Sequence, residues 1–176
     1  MLYGATDLAS AFRTVRSNTI RTAEDIPEAQ LDFAAAPGVR TVRQLLAHLA
    51  MNDEVARVVH QQKLTTLQGL NFPEIMGRMM AEEQKPRTKA ELIAMLRERG
   101  EEYASWLGSL SEEFLAEHVG MPSGAEPTSK TRFEMLLAVK EHEMHHRAQL
   151  MLAQRMVGVV PHLTRQMQER MAAARP

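Results

Sequence analysis

Apolar residues recur along most of the chain at intervals of three and four residues, the spacing with which an α-helix buries one face. Three of these segments open on a Thr that is followed three residues later by Gln or Glu. This capping box bonds backbone N–H groups that the first turn of a helix leaves free. The pattern predicts three long helices, over about residues 41–61, 88–107 and 131–157.

Other signals are weaker and predict shorter or less regular elements. A first helix is expected from a cap at Thr6 or Asp7 to about Ala23, and Ser111 is expected to cap a short helix that ends near Val119. A long crossover is predicted within residues 64–86, with a short helix near Phe72 to Glu83. A loop over 120–129 and a last amphipathic helix over about 162–173 are expected to follow. No β-strand pattern competes with these helices.

The predicted buried stripes include polar residues. The stripe of helix 41–61 contains Val42, Leu45, His48, Leu49, Asn52, Ala56 and Val59. The stripe of helix 131–157 is expected to contain Leu137, Ala138, Leu152, Ala153 and Met156. Four long helices with polar outer faces indicate an all-α, antiparallel-type bundle with short extra helices, and 176 residues fit one domain, 1–176.

Composition excludes several classes of function. The chain has no cysteine, so a metal site must use histidine, carboxylate or water. Its net charge of -1 comes from intermixed acids and bases, without the basic block that grips nucleic acid. It has neither a secretory signal pattern nor 18 consecutive apolar residues. We therefore expect a soluble cytoplasmic protein that binds neither nucleic acid nor membrane.

A cluster of histidines at residues 142–146 is the main chemical feature. His142 and His146 lie one helical turn apart, so both imidazoles can reach one point, and neutral imidazole is the commonest metal ligand near neutral pH. His48 is the best third candidate because it replaces an apolar residue on a buried stripe, although it could also be an ordinary hydrogen-bonded core histidine. His145 is expected outside the first set of ligands, and His60, His118 and His162 are expected to be partly exposed.

Two metal-enzyme motifs match the cluster only in part. The sequence HEMHH satisfies the zinc-protease pattern in which the Glu is the general base. Gln149 and Leu152, however, replace the extended motif's glycine and third histidine, and Glu169 is the only acid that follows. A di-iron bundle would need a second Glu-x-x-His unit, which the chain lacks. Glu143 could act as a base, but its angular position favours a solvated helix face.

The chain resembles the DinB-like proteins, which include YfiT-like metal-dependent hydrolases and bacterial thiol-dependent transferases. The resemblance lies in TVRQLLAHLA, ending at Ala50, and in HEMHHRAQL about ninety residues later, followed by Gly158. It implies a four-helix bundle with a long crossover, usually dimeric, that holds a divalent metal, often nickel or zinc, through three histidines. By this resemblance the ligands are His48, His142 and His146. Ala148 replaces a glycine common in the family, a change that leaves the ligands intact.

The resemblance implies two kinds of function. One is a metal-dependent hydrolase or thiol transferase that acts on a small molecule, with a low-molecular-weight thiol as a possible co-substrate. The other is a non-catalytic metal- or ligand-binding bundle with a role in stress. In either case a homodimer is expected. Arg147 and Gln149 resemble residues that flank the family's ligands, without an assigned role. Three neutral histidines predict an open site, completed by an exchangeable ligand.

Overall fold

The computed structural model describes residues 3–174 and is almost entirely helical. The helices are α1 (Ala5–Asp25), α2 (Val42–Ala50), α3 (Glu54–Gln61), α4 (Phe72–Glu83), α5 (Lys89–Gly108), α6 (Glu112–Ala116), α7 (Arg132–Met156) and α8 (His162–Ala173), with a short 3-10 turn at Glu28–Gln30. Two strands, β1 (His118–Gly120) and β2 (Ser129–Thr131), form an antiparallel pair. None of the helices described is long and apolar enough to span a membrane.

Four helices form the bundle. Helix α1 packs mainly against α5 and α7, and α2 packs against α5, α4 and α7. Helices α1 and α2 are therefore diagonal to each other, although they are consecutive long elements of the chain. This arrangement confirms the predicted all-α four-helix bundle with short extra helices. Residues 62–88, which contain α4, form the long crossover from α3 to α5.

All three predicted capping boxes are present, because Thr41, Thr88 and Thr131 each accept a hydrogen bond from the residue three positions later. The predicted cap of the first helix is wrong. Gly4 is the N-cap of α1, and Asp7 lies inside the first turn, where its carboxylate accepts a hydrogen bond from the Gly4 N–H at 2.9 Å. A first-turn carboxylate also interacts favourably with the positive end of the helix.

The helix predicted over residues 41–61 is interrupted. It forms α2 and α3, with turns at Met51, Asn52 and Asp53 between them. At this point the Leu49 carbonyl accepts a hydrogen bond from Arg16 Nη2 at 2.9 Å, so a side chain from α1 replaces part of the helical ladder. The predicted buried stripe is nevertheless correct, because all seven of its members are buried.

The connection after α6 differs from the prediction. Helix α6 ends at Ala116, and Val119 lies in β1 rather than in a helix. The 120–129 segment predicted as a loop connects β1 to β2. Thr65 and Leu67 of the crossover also exchange backbone hydrogen bonds with Gly120. These backbone partners are distant in sequence, which explains why no local pattern predicted the strands.

The buried face of α7 is rotated relative to the prediction. Ala138, Leu152 and Met156, which were expected in the core, are exposed. Ala153 is buried as predicted and Leu137 is half-buried. The full set of buried positions is Arg132, Leu136, Val139, Glu143, His146, Leu150, Ala153 and Gln154. Because this face includes a charged residue at its centre, apolar periodicity alone placed the buried face only in part.

A buried ion pair lies at the centre of the bundle, between the two largest apolar clusters. Glu143 is completely buried, so the predicted solvated position is wrong. Its carboxylate accepts hydrogen bonds from Arg16 Nε at 2.9 Å and Nη2 at 2.9 Å. Arg16 also donates to the carbonyls of Leu96 and Leu49, and Asn52 donates to Glu143 at 3.3 Å. The pair therefore joins α1, α5, α7 and the end of α2.

Gly100 of α5 makes room for this ion pair. A Cβ atom at this position would lie 2.8 Å from Cγ and 3.0 Å from Nη1 of Arg16. Glycine within a helix costs stability relative to alanine, so its presence has to be explained by packing. Here the explanation is steric, because the Arg16 side chain passes directly over the α5 backbone.

Candidate metal centre

Three histidines from two bundle helices converge near the C-terminal end of the crossover helix α4. His48 lies on α2, and His142 and His146 lie one turn apart on α7. One ring nitrogen from each lies within 4.8 Å of the others, and the Nε2 atoms of His48 and His142 are 2.8 Å apart. His48 and His146 are buried, whereas His142 is exposed. The cluster is thus accessible from one side.

Two polar side chains fix the outer ring nitrogens. Glu83 Oε1 is 2.8 Å from His48 Nδ1, and Gln149 Oε1 is 2.9 Å from His146 Nδ1. A carboxylate or amide oxygen accepts only, so each Nδ1 donates its hydrogen, and in the neutral form of the ring the lone pair is then on Nε2. Metal-binding histidines nearly always have such a partner on the other nitrogen. The donor set therefore fits a divalent ion held by imidazoles.

The electrostatics of the cluster favour the neutral form of the two histidines on α7. His142 is exposed on one side, but partial desolvation of its ring, followed by the neighbouring His146 and His48, lowers its pKa to about 4. Burial also lowers the pKa of His146, although the hydrogen bond to Gln149 opposes this shift. Neutral imidazole is the form that ligates metal. Within residues 3–174, no fourth histidine or acidic side chain joins the three.

Glu83 and Arg40 are parts of the site that the sequence analysis missed. Burial alone would raise the pKa of Glu83, but hydrogen bonds from His48 and Arg40 outweigh burial and lower it. Arg40 donates to the carboxylate through Nε at 2.6 Å and Nη2 at 3.2 Å. Glu83 lies in the crossover and Arg40 in a loop, outside any motif. The sequence did contain one sign of Glu83: it continues the four-residue spacing of Ile75 and Met79 along the buried face of α4.

The remaining histidines lie outside the cluster. His145 is exposed, and its Nε2 accepts a hydrogen bond from Gln149 at 3.2 Å, consistent with its predicted place outside the first set of ligands. His118 is exposed, but His60 and His162 are buried, so the prediction of partial exposure is wrong for these two. Arg147 turns away from the site and donates to the Val15 carbonyl at 3.4 Å.

His60 of α3 packs against Arg132, a buried arginine at the start of α7. Arg132 Nη1 lies 3.2 Å from His60 Nδ1 and also approaches the Phe114 ring. Burial and the Arg132 charge lower the pKa of His60 to about 4. His60 therefore stays neutral and accepts the hydrogen bond. A helix face that looked open in sequence is covered by α7.

Together, fold and site define an all-α bundle that carries a three-histidine cluster across two helices. A family model for the DinB superfamily matches residues 11–150, and the chain belongs to this superfamily. The match spans both helices of the cluster. It also confirms the family resemblance recognised from the two histidine-containing segments.

Solved structures support the same fold. YfiT from Bacillus subtilis, described as a probable metal-dependent hydrolase with an unusual four-helix bundle topology, matches with a TM-score of 0.67 and 20% identity over 88% of each chain. A DinB-like protein of the same species, YjoA, matches with a TM-score of 0.62 and 20% identity, over 86% of this chain and 92% of its own. At these identities the likeness establishes the fold alone. No curated protein sequence matches this chain.

Proposed function

We propose that the protein is a divalent-metal-dependent enzyme that acts on a small molecule, either as a hydrolase or as a thiol-dependent S-transferase. The observation that carries this proposal is the convergence of three imidazoles, two of which are fixed by a hydrogen bond on the outer ring nitrogen. The description of YfiT as a probable metal-dependent hydrolase supports the same reaction class.

His48, His142 and His146 would hold the ion, with nickel or zinc the metals that suit imidazole ligands. Because no thiolate or carboxylate belongs to the set, the ion would keep its full charge. When bound, it supplies Lewis-acid chemistry, which polarises a carbonyl or lowers the pKa of a bound water or low-molecular-weight thiol. The exposed side at His142 gives solvent access to the cluster, from which a substrate would approach.

The arrangement assigns no general base among the neighbouring side chains. Glu143 follows a ligand in sequence, but its carboxylate is buried and engaged by Arg16 on the inner side of α7. Gln149 is exposed and contacts both His145 and His146, which places a polar amide at the rim of the site. A proton carrier would therefore have to come from the solvent side or from the substrate itself.

The second candidate is a non-catalytic metal- or ligand-binding bundle with a role in stress. It shares the three ligands and differs in whether the bound ion turns over a substrate. The exposure of His142 favours the enzyme, because a purely structural ion is normally closed by four protein ligands. The cytoplasmic location expected from the sequence stays a prediction.

The test is metal analysis of protein purified without a histidine tag, followed by a screen of esters, amides and thiol acceptors with and without low-molecular-weight thiols. We expect one ion per chain in the wild type and in His145→Ala, and strong loss in His48→Ala, His142→Ala and His146→Ala. Full occupancy in His48→Ala together with loss in His145→Ala would refute the ligand set. Turnover that chelation abolishes supports the enzyme, and metal binding without turnover supports the alternative.

The proposal also includes a homodimer. Helix α7 exposes Met144, Ala148, Leu152 and Met156, an apolar stripe at four-residue spacing that the bundle leaves uncovered. Glu141 and Arg155 lie seven residues on either side of Ala148. An antiparallel crossing of two α7 helices at Ala148 would therefore bring each Glu141 near an Arg155 of the other copy, as two-fold symmetry requires.

Light scattering at micromolar concentration tests the dimer. We expect about twice the chain mass of 19.8 kDa for the wild type and the single-chain mass for Leu152→Glu. Exchange of an exposed polar residue away from the stripe, Gln62→Glu, is the control and should leave the mass unchanged. A wild type of single-chain mass would contradict this part of the proposal.

A further inference from the structure

The crossover helix contributes a buried carboxylate to the candidate metal centre. We propose that Glu83 is a positioning residue: it holds His48 in the tautomer and orientation that present Nε2 to the ion, and it thereby makes metal affinity depend on the docking of α4. This inference rests on the proposed metal site. It concerns a residue that ligates nothing itself.

The contacts of Glu83 are specific. The side chain is only 5% exposed, and Oε1 lies 2.8 Å from His48 Nδ1. On its other side, Arg40 Nε donates to Oε2 at 2.6 Å and Arg40 Nη2 to Oε1 at 3.2 Å. The carboxylate is thus held in place from two directions, and the histidine ring contacts the oxygen that Arg40 orients.

These contacts determine which nitrogen of His48 is available. A carboxylate beside an arginine accepts hydrogen bonds and cannot donate, so His48 Nδ1 must carry the hydrogen. In a neutral imidazole the other nitrogen then has a free lone pair. That nitrogen is Nε2, which lies 2.8 Å from His142 Nε2 and faces the other candidate ligands.

Glu83 and His48 belong to different structural units. His48 lies in the bundle, 35 residues before Glu83 at the last turn of α4. Helix α4 packs on α2 through Ile75 and Met79, which contact Met51, and its C-terminal end is tied to α2 by a Gln44–Gln84 hydrogen bond of 3.0 Å. Binding at His48 and docking of α4 therefore favour each other.

The experiment compares Glu83→Ala and Glu83→Gln with Glu82→Ala, a neighbouring acid that pairs with Arg87 and points away from His48. Zn²⁺ affinity is measured by competition with a chromophoric chelator. We expect Glu83→Ala to weaken binding about 10- to 100-fold, the range typical of lost outer-shell partners, and Glu82→Ala to change it less than about twofold. Glu83→Gln keeps an acceptor oxygen and should retain more affinity than Glu83→Ala.

A second readout does not require metal. In metal-free wild-type protein, ¹⁵N NMR of the histidine side chains should show the hydrogen of His48 on Nδ1, and Glu83→Ala should change this signal while Glu82→Ala leaves it. Circular dichroism verifies that each variant is folded. Because Glu83→Gln preserves the acceptor, it distinguishes loss of the hydrogen bond from general unfolding if Glu83→Ala proves unstable.

Several results would overturn the inference. One is a hydrogen on Nε2 of His48 in the metal-free wild type, and another is equal Zn²⁺ affinity in Glu83→Ala and Glu82→Ala. If neither wild type nor variants bind Zn²⁺, the proposed metal site fails, but the tautomer measurement still decides whether Glu83 positions His48. Failure of the two ideas is therefore distinguishable.

Discussion

His142 and Glu143 are neighbours in sequence, yet they belong to two polar clusters with different properties. The histidine cluster is open on one side and brings one ring nitrogen of each histidine to a common point. The Arg16–Glu143 cluster is closed, carries two opposite charges and uses its hydrogen bonds internally. One turn of α7 therefore presents a ligand set outward and a structural ion pair inward.

The difference shows how a polar residue inside a bundle can be assigned to binding or to stability. A buried charge is tolerated when partners satisfy it, and Glu143 receives donors from Arg16 and Asn52. His48 and His146 are satisfied on their outer nitrogens, and all three histidines converge through one ring nitrogen each. A cluster that leaves lone pairs directed at a common point is suited to bind, whereas one that satisfies itself is suited to hold helices together.

The largest expected effect concerns the closed cluster. Glu143→Ala should lower the free energy of unfolding of the metal-free protein by about 3–5 kcal/mol, because it leaves the Arg16 guanidinium buried without its counter-charge. Urea denaturation monitored by circular dichroism measures the change. Glu98→Ala, an exposed acid on α5 outside the proposed dimer face, is the control and should stay within about 0.5 kcal/mol of wild type. If Glu143→Ala lowers the free energy of unfolding by less than about 1 kcal/mol, the Arg16–Glu143 cluster does not have the stabilising role that distinguishes it from the histidine cluster.

Lowering the pH should reduce the free energy of unfolding through His60, a buried histidine that belongs to neither cluster. His60 has a folded-state pKa of about 4, below its unfolded value of 6.5, so the unfolded chain gains a proton first as the pH falls. Stability from this group is complete above pH 6.5 and is lost between pH 6.5 and 4, by roughly 3 kcal/mol at most. Urea denaturation across this range should show a shallower decline in His60→Gln. If the free energy of unfolding falls equally with pH in wild type and His60→Gln, His60 is not the group responsible for the decline.

A smaller effect is expected where the closed cluster meets the α5 backbone. Gly100→Ala should destabilise the protein by about 1–3 kcal/mol, because the added Cβ lies 2.8 Å from Arg16 Cγ and the ion pair leaves this side chain little freedom to move. Gly77→Ala, in α4 with open space around it, is the matched control and should be stabilising by about 0.5–1 kcal/mol. If both variants gain stability in thermal unfolding, Arg16 is not held as tightly as proposed.

The smallest effect on structure should come from removal of metal from the histidine cluster. Chelation should abolish any metal-dependent activity but shift the thermal midpoint only moderately, since the bundle core folds around apolar clusters and the Arg16–Glu143 pair without the ion. Far-UV circular dichroism of the chelated protein should retain its helical signal. Unfolding on chelation would mean that the histidine cluster is structural, like a zinc finger.

Much of the architecture was predictable because its causes are local. The capping boxes at Thr41, Thr88 and Thr131 depend on contacts three residues apart, and each begins a helix where expected. The short helix α4 and the terminal helix α8 also occur at the predicted residues. The His142 and His146 pair is set by helical geometry alone, so its convergence follows once α7 forms.

Apart from the cap of the first helix, which is a local contact between Gly4 and Asp7, the main errors occur where distant residues interact. The interruption after α2 depends on Arg16, the position of Val119 depends on strand pairing with β2, and the buried face of α7 depends on Glu143 finding a partner 127 residues away. Local propensity and apolar periodicity contain none of these contacts. A glutamate without a known counter-charge is reasonably placed in solvent, and only the packed bundle shows where its counter-charge lies.

The sequence by itself determined the helices, the absence of thiolate ligands, the histidine pair on α7 and the presence of His48 on a buried stripe, because these follow from residue type and helical period. Tertiary structure alone decided that His48 faces that pair, that Glu83 of the crossover contacts its outer nitrogen, and that Glu143 turns inward to Arg16. The physical reason is that hydrogen bonding and charge pairing are short-ranged in space. They act between residues that become neighbours only when the helices pack.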